Sequence, residues 1–465
     1  LLSIHEHPLL PSAMFIVGKC DGCRVRGLMY GSYYCNKANC FCWFHKDCAE
    51  SPLEINHHPS HPEHPLLLTK MAPAEEAFLI YCGFIVSVFC VGLPHIINTN
   101  RHDHRVAFMH HLGRKGAKCG VCRESLSQYY GAYSCSICPK YVVHLQCAVD
   151  FNLWNGVELE GIPETSEDIV PFKVVGDNLI RHFMHEKHIL LLLKDYDMVG
   201  DDYERVRCEA CVSQIGLFGL VYSCQECRFF LHEKCAHLPM KKNLVFNPTP
   251  YMLEYQGKAR SWLGLFSGGF KYTSQDPFGN YSFVDVHCSS ISEPFVHNAH
   301  LHPLYFVETV ENSPCDACTR FQDGYVLNCS DCDFDLCLYC ATLPEKIWHI
   351  SDEHPLTLYH GGKKATGTNW CEVCEMELDS SKWFFTCFGC GVTLHDKCVL
   401  GDFSRLTPNY SVPFRGKEYS VILNNQNSRP SCRSCHDRCK APVILQVNDE
   451  HNGYICSNSC LYRVF

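Results

Sequence analysis

Hydrophobic and polar positions along this chain alternate in short runs. Tyr33-Tyr34-Cys35, Tyr133-Ser134-Cys135 and Val221-Tyr222-Ser223-Cys224 each lead into a cysteine, which predicts short strands ending on thiols. After the last cysteine of a unit, sequences such as CAESPLEI and CATLPEKI predict a single helical turn, cut short by proline. Ala77 to Leu93 is apolar and uncharged for 17 residues, the lower edge of a membrane-spanning helix. Its β-branched and aromatic content, with Gly83 and Gly92 inside, predicts paired strands instead.

The pattern repeats. The clearest unit opens on His302, continues with Cys315 and Cys318, Cys329 and Cys332, Cys337 and Cys340, and closes on His349. His7 stands 13 residues before Cys20, as His302 stands 13 before Cys315, and is followed by Cys23, Cys35, Cys40, His45, Cys48 and His57. From His104 follow Cys119, Cys122, Cys135, Cys138, His144 and Cys147, with His182 the nearest closing histidine after a long excursion. From His188 follow Cys208, Cys211, Cys224, Cys227, His232 and Cys235; from His354 follow Cys371, Cys374, Cys387, Cys390, His395 and Cys398. Two stretches keep the apolar frame with eroded ligands: Cys82 and Cys90 with Ser87 at the histidine position, and Cys288 with Asp285 there and His297 beyond.

The expected modules are therefore 5–58, 102–182, 185–244, 300–349 and 354–405, with eroded modules at 61–100 and 245–297. A tail at 406–465 has its own set, Cys432, Cys435, Cys456 and Cys460. Leu244 occupies the closing position after Cys235, and His237 is a poor substitute; after Cys398 the candidates are His436 and Cys439 of the tail. Cys42 reads as a buried non-ligand, and His5, His102, His185 and His300 as residues that orient ligands or face solvent. Repeat arrays couple mainly to neighbours, so damage to one module is expected to stay local.

Composition decides what the repeats are for. The 465 residues include 35 cysteines and 28 histidines, and a disulfide framework has no use for histidines at fixed offsets. An odd cysteine count forbids complete pairing within the chain, and a reducing compartment, cytoplasm or nucleus, fits best. Thiolate and imidazole together are what tetrahedral zinc takes. Modules of this size cannot bury enough apolar surface alone, so folding is expected to depend on metal. A formal charge of −10 with no basic stripe argues against nucleic acid.

Every complete set offers four protein ligands, whereas a catalytic zinc keeps one position open, so no enzyme is expected. His185-Glu186-Lys187-His188 misses H-E-x-x-H by one residue. A PHD finger ends in another Cys-x2-Cys and a RING places its histidine after the third cysteine; these modules do neither. Spacing alone leaves sequential pairing of the ligands open.

The strings H-x-HPL, Cys-x2-Cys, Y-x-Cys-x2-Cys, His-x2-Cys-A-x-LP and I-x-H resemble the plant Cys/His-rich divergent C1 domain family. That family is related to the phorbol-ester and diacylglycerol-type C1 zinc finger of protein kinase C. The resemblance runs from residue 5 to roughly 400 and implies tandem modules of short strands and helical turns, an intracellular signalling scaffold, and about two interleaved zinc ions per intact module. It implies that Cys20, Cys23, His45 and Cys48 form one site and His7, Cys35, Cys40 and His57 the other. For the unit from His302 it implies Cys315, Cys318, Cys337 and Cys340, then His302, Cys329, Cys332 and His349. Diacylglycerol binding is not expected. The loops that would open around it are short, Cys23 to Cys35 enclosing 11 residues and Cys318 to Cys329 enclosing 10, and carry no Gln-Gly pair. Protein partners are expected, with nothing in the sequence naming them.

Overall fold

The computed structural model describes residues 5–464 except 24–25, 57–62, 72–74, 80–84, 88–89, 91, 129, 164–169, 195–205, 217–218, 256–258, 261–265, 277–278, 319–320, 362–368, 426–427 and 449–451. The chain divides into two compact units, Leu1–Thr165 with Asn243–Thr249, and Ser166–Lys242 with Pro250–Phe465.

Each module is a small antiparallel sheet closed by one helical turn. In the module around Cys119, the strands Ile96–Ile97, Val106–Met109, Ala132–Ser134 and Val142–His144 pair in that order. The turn Leu145–Ala148 follows at once. The same succession recurs as Leu179–His182, Leu190–Lys194, Leu220–Cys224 and Phe230–His232, with Phe172–Gly176 added at the edge. It recurs again as Lys346–Ile347, Leu356–Tyr359, Phe384–Thr386 and Thr393–His395. Buried strand residues supply the core; around Cys119 these are Ile97, Val106, Ala132, Tyr133, Val142 and Val143.

The eroded stretches keep the sheet. Glu54–Ile55, Leu66–Met71, Glu75–Leu79 and Ile85–Ser87 pair in order, so the apolar segment from Ala77 is strand at 77–79 and 85–87. Among the described residues no helix is long and apolar enough to cross a membrane. Lys241–Leu244, Asn247–Tyr255, Phe270–Gln275 and Tyr281–Asp285 form the second eroded sheet.

The tail also folds as a module. Ser411–Phe414, Lys417–Leu423, Val443–Val447 and Gly453–Ile455 pair in order and Asn458–Arg463 closes them. Its core reaches back to Phe403 and Leu406, so the tail begins slightly before residue 406.

Module boundaries differ from the expected ones for one reason. The I-x-H segments, read as closing a module, and the equivalent Ile96–Ile97 are strands of the next sheet. Glu54–Ile55 pairs with Leu66–Met71, Ile96–Ile97 with Val106–Met109, Leu179–His182 with Leu190–Lys194, and Lys346–Ile347 with Leu356–Tyr359. Phe295 bridges Leu304 in the same way. The long strand of each module has an open edge, and an edge takes the nearest extended segment.

Candidate metal centres

The first site of each module gathers the first cysteine pair and the His-x2-Cys pair. Cys20, Cys23, His45 and Cys48 converge, as do Cys119, Cys122, His144 and Cys147. Local geometry produces this. His45 follows the strand Trp43–Phe44 and directly precedes the turn Lys46–Ala49, so Cys48 follows it on the same face. Its backbone N–H donates to the Cys20 sulfur at 3.3 Å, and its Nδ1 lies 3.3 Å from the Cys23 Sγ. His144 repeats both contacts with Cys119 and Cys122 at 3.5 and 3.2 Å. His232 repeats them with Cys208 and Cys211 at 3.5 and 3.4 Å, with Cys235 at 3.9 Å from its Nδ1. Nδ1 of His395 stands 3.3 Å from Cys374, and Cys371 bonds Cys398. In the all-cysteine version, Cys337 donates its N–H to Cys315 at 3.3 Å and lies 3.9 Å from Cys318, with Cys340 one turn on.

A cysteine pair needs a tight turn to aim both sulfurs at one point. The residue after the second cysteine supplies it in the left-handed region: Arg123, Val212, Glu375 and His436 have φ of 65°, 62°, 58° and 64°. The N–H of each returns to the carbonyl of the first cysteine, as Val212 does to Cys208 at 2.8 Å. Left-handed backbone is costly for a valine and persists only where its surroundings fix it.

The second site departs from expectation. Each knuckle pair meets two opening residues rather than an opening and a closing histidine. His5 and His7 converge with Cys35 and Cys40, His102 and His104 with Cys135 and Cys138, and His185 and His188 with Cys224 and Cys227. The first histidine uses Nε2: His5 to Cys40 at 3.2 Å, His185 to Cys227 at 3.3 Å, His300 to Cys332 at 3.4 Å. The second uses Nδ1: His104 to Cys138 at 3.5 Å, His188 to Cys224 and Cys227 at 3.6 and 3.7 Å, His302 to Cys329 and Cys332 at 3.7 and 3.6 Å. His5, His102, His185 and His300 are thus donors, not bystanders. A ring stacks on three of them: Tyr141 on His102, Phe229 on His185 and Phe334 on His300, at 3.9, 4.3 and 4.2 Å.

His182 and His349 belong elsewhere. Each is buried, and its Nδ1 accepts the N–H of the residue two further on, Met184 at 3.3 Å and Ser351 at 3.2 Å. They cap the turn that delivers the true donor, because that donor's N–H returns to their carbonyl: His185 to His182 at 2.9 Å and Asp352 to His349 at 3.1 Å. Thr99 does the same for His102, and His297 for His300. His57 lies outside the described residues. His237 bonds the Glu233 carbonyl and faces Phe172. In the module from His354 the remaining donor is Asp352, whose Oδ1 is 3.3 Å from Cys390; His354 Nδ1 is also 3.3 Å from Cys390.

In the tail Cys435 and Cys456 stand 3.7 Å apart and Cys456 and Cys460 3.6 Å. Cys439 bonds Cys456 and His436 turns back to Cys432, so both serve the tail and not the preceding module. Cys42 lies 3.7 Å from Cys40, beside a donor set.

These spacings fit a metal. With Zn–S about 2.3 Å and Zn–N about 2.0–2.1 Å, tetrahedral donors stand about 3.5 Å apart for S and N and about 3.8 Å for two S. The observed contacts bracket those values. Without a cation the thiols compete. Cys119 is drawn down to about 4 by its bond with Cys147, and that same bond drives Cys147 well up. Cys371 is drawn down to about 3 by Cys398, which rises in turn. One thiolate forms at its neighbours' expense, and a dication removes that conflict by letting all ionise. Eleven groups of three or more such residues occur among the described residues.

The second eroded module has replaced metal with a guanidinium. Asp285, at the histidine position, accepts the N–H groups of His287 and Cys288, and its Oδ1 lies 3.6 Å from Nη1 of Arg405. Arg405 also bonds Thr342 and overlies the Tyr339 ring at 5.3 Å. A buried carboxylate is held low in pKa: burial pushes it up, and Arg405 and His287 more than offset that. The first eroded module gathers no donor set among the described residues; Cys90 packs against the core of the first module, and Cys82 is not described.

Paired four-donor clusters on small antiparallel sheets define a tandem zinc-finger architecture. Family models for the C1 domain match residues 100–148, 183–236, 298–341 and 350–399, and one for the C-terminal C1-like domain matches 419–461. The chain belongs to the Cys/His-rich divergent C1 domain family. No curated protein and no solved structure matches it.

Proposed function

We propose that this chain is a zinc-loaded, non-catalytic scaffold that binds other proteins in intracellular signalling assemblies of the cytoplasm or nucleus. The observation that carries the reading is closure. Each complete cluster offers four protein donors, which leaves no coordination position for substrate or water. The metals then serve to build surface. Knuckle tips turn apolar side chains outward: Phe41, Ile137 and Phe388 are 87%, 60% and 74% exposed. Apolar groups held rigidly in water are what a protein partner covers.

The test uses the full chain. Native mass spectrometry gives the metal content, expected to be about eight to eleven zinc ions from the clusters formed. Partners are captured with the loaded protein, with a chelated sample, and with Phe41→Ser, Ile137→Ser and Phe388→Ser combined. A discrete set of proteins lost in both controls supports the scaffold. A zinc content of about two or three, or iron in place of zinc, overturns it.

A further inference from the structure

The outer site of the module from His354 is unlike its counterparts, and both of its departures concern one position. In the other modules the first opening donor is a histidine: His5, His102, His185 or His300. Here it is Asp352, and the equivalence is fixed by backbone rather than by alignment. The N–H of Asp352 returns to the His349 carbonyl at 3.1 Å, as His300 returns to His297 at 3.0 Å and His185 to His182 at 2.9 Å. The ring that stacks on the histidine has changed as well. Phe229, Phe334 and Tyr141 each accept, through their carbonyl, the N–H of the first knuckle cysteine, at 3.0, 3.1 and 3.3 Å. In this module that carbonyl belongs to Val392, which accepts from Cys387 at 2.9 Å. The first module also lacks a ring at that position, where the Cys42 carbonyl accepts from Cys35 at 3.1 Å, but it keeps the imidazole of His5; here the imidazole is replaced by a carboxylate and an aliphatic side chain stands beside it.

The carboxylate is placed as a donor. Its side chain is only 2% exposed. Oδ1 accepts the His354 N–H at 2.9 Å and stands 3.3 Å from Cys390 and 3.1 Å from His354 Nδ1. Oδ2 is buried and has no hydrogen-bond partner. A buried carboxylate oxygen of this kind needs a cation, and no Lys or Arg contact to it is seen among the described residues. The cluster around it already holds two thiols and an imidazole at metal-ligand spacing.

The geometry points to a zinc site of two thiolates, one imidazole and one carboxylate, formed by Cys387, Cys390, His354 and Asp352, and to this site as the one from which the array gives up metal first. The chemistry is that of the donors. Zinc is borderline soft, and an oxygen donor suits it less well than the nitrogen it replaces, favouring harder ions. Two thiolates, a neutral imidazole and a carboxylate leave a net charge of about −1, against about 0 for two thiolates and two imidazoles. The site also lies open. His354 is 66% exposed along its side chain, so a competing ligand can approach from the imidazole side. It is therefore the exchangeable position of a chain whose other sites are closed and structural, suited to passing a divalent transition metal to a stronger thiol or imidazole ligand.

This inference rests on the zinc-loaded reading above, and the experiment separates the two. The full chain, loaded with zinc, is mixed with a chromophoric chelator and the release is followed in time, with native mass spectrometry counting the ions left. One equivalent is expected to leave at least about tenfold faster than the rest, the low end of the range by which shell substitutions alter metal affinity. Asp352→His with Val392→Phe restores the set of the other modules and should merge that phase with the slow ones. Asp352→Ala should lower the loaded count by one. Asp352→Asn, which keeps shape and loses charge, should speed the first phase further. Cobalt substitution supplies an independent reading, since the parent and the Asp352→His, Val392→Phe protein then differ in the ligand-field bands of one ion. If zinc is bound but the first phase and the count are unchanged in all of these proteins, Asp352 is no ligand and the inference falls alone. If the parent holds no zinc, the scaffold reading falls with it.

Discussion

Arg405 shows how a single side chain can stand in for a metal. Its charge meets Asp285 inside an eroded module, where both groups are nearly out of water. Removing one partner of such a pair strands the other, at about 3–5 kcal/mol, whereas removing both is often close to neutral. Arg405→Met is expected to cost about that much in chemical denaturation, and Arg405→Met with Asp285→Asn to recover most of it. Equal losses in both proteins would show that the pair does not hold the module. The turn-capping histidines act through pH. Burial pushes His182 and His349 down to about 4, below the ordinary 6.5 of the unfolded chain. Their contribution is therefore complete above about 6.5 and is lost as pH falls from there toward about 4. His349→Asn keeps an acceptor for Ser351 and cannot titrate. Its stability should drop less than the parent's between about pH 7 and pH 5, by up to about 2 kcal/mol. Identical pH profiles would refute the burial argument. These histidines also mark where reading the sequence stopped. His182 and His185 are three residues apart and both lie in one I-x-H string, so nothing local says which one turns toward Cys227. The ring two or three residues past Cys138, Cys227 and Cys332 was the available signal, because an imidazole is steadied by an aromatic face.

Among elements, the strands leading into cysteines and the one-turn helices after them were legible, because alternation, cysteine spacing and proline are all local. Ownership of the I-x-H strand was not, because pairing is settled by which edge is open, a matter of tertiary structure. The same strands bear on lipid. In diacylglycerol-binding relatives the ligand enters between the segments flanking the first cysteine pair. Here those segments are stitched to each other. Lys118 bridges Ser125, Arg207 bridges Gln214, Ile16–Lys19 pairs with Arg26–Met29, and Asn369–Trp370 pairs with Glu377–Leu378. Leu126 and Ile215 complete the seam, donating to Ala117 at 2.8 Å and to Val206 at 3.1 Å. A ligand would have to break backbone hydrogen bonds to enter, and the chain's negative charge gives anionic membranes no hold. Sedimentation with liposomes containing diacylglycerol should leave the protein in the supernatant. Micromolar, lipid-dependent binding that chelation abolishes would show that the seam opens.

At the scale of the chain, the expectation of purely local coupling fails within the larger unit. Gln214 holds the backbone of Trp348 by both ends, at 3.1 and 3.2 Å, and the indole returns a bond to Gly216 at 3.0 Å. The modules so joined, those from His188 and His354, are separated in sequence by the eroded one and by the module from His302. Trp383 donates to Ala317 at 2.9 Å and Lys382 to Asp316 at 3.0 Å, drawing in the module from His302. Sequence repeats disclose the parts, but contacts between parts are made by residues outside the repeat, which is why they were not foreseen. Cys318→Ser is therefore expected to cost hydrogen-exchange protection around Gln214 and Trp383 as well as in residues 300–349, with the module around Cys119 retaining its own. Loss confined to 300–349 would restore the picture of independent beads.

The order in which the chain is made gives Arg405 one more consequence. A ribosome releases Asp285 two modules before it releases the arginine that neutralises it. Until then the turn at Val286–Ser289 has neither metal nor counterion, and its carboxylate has reason to stay in water. The eroded module thus waits on a residue made two modules later. Nascent chains halted before Arg405 should expose that turn to protease, and those halted after the tail should not, so assembly of this unit closes backward along the chain.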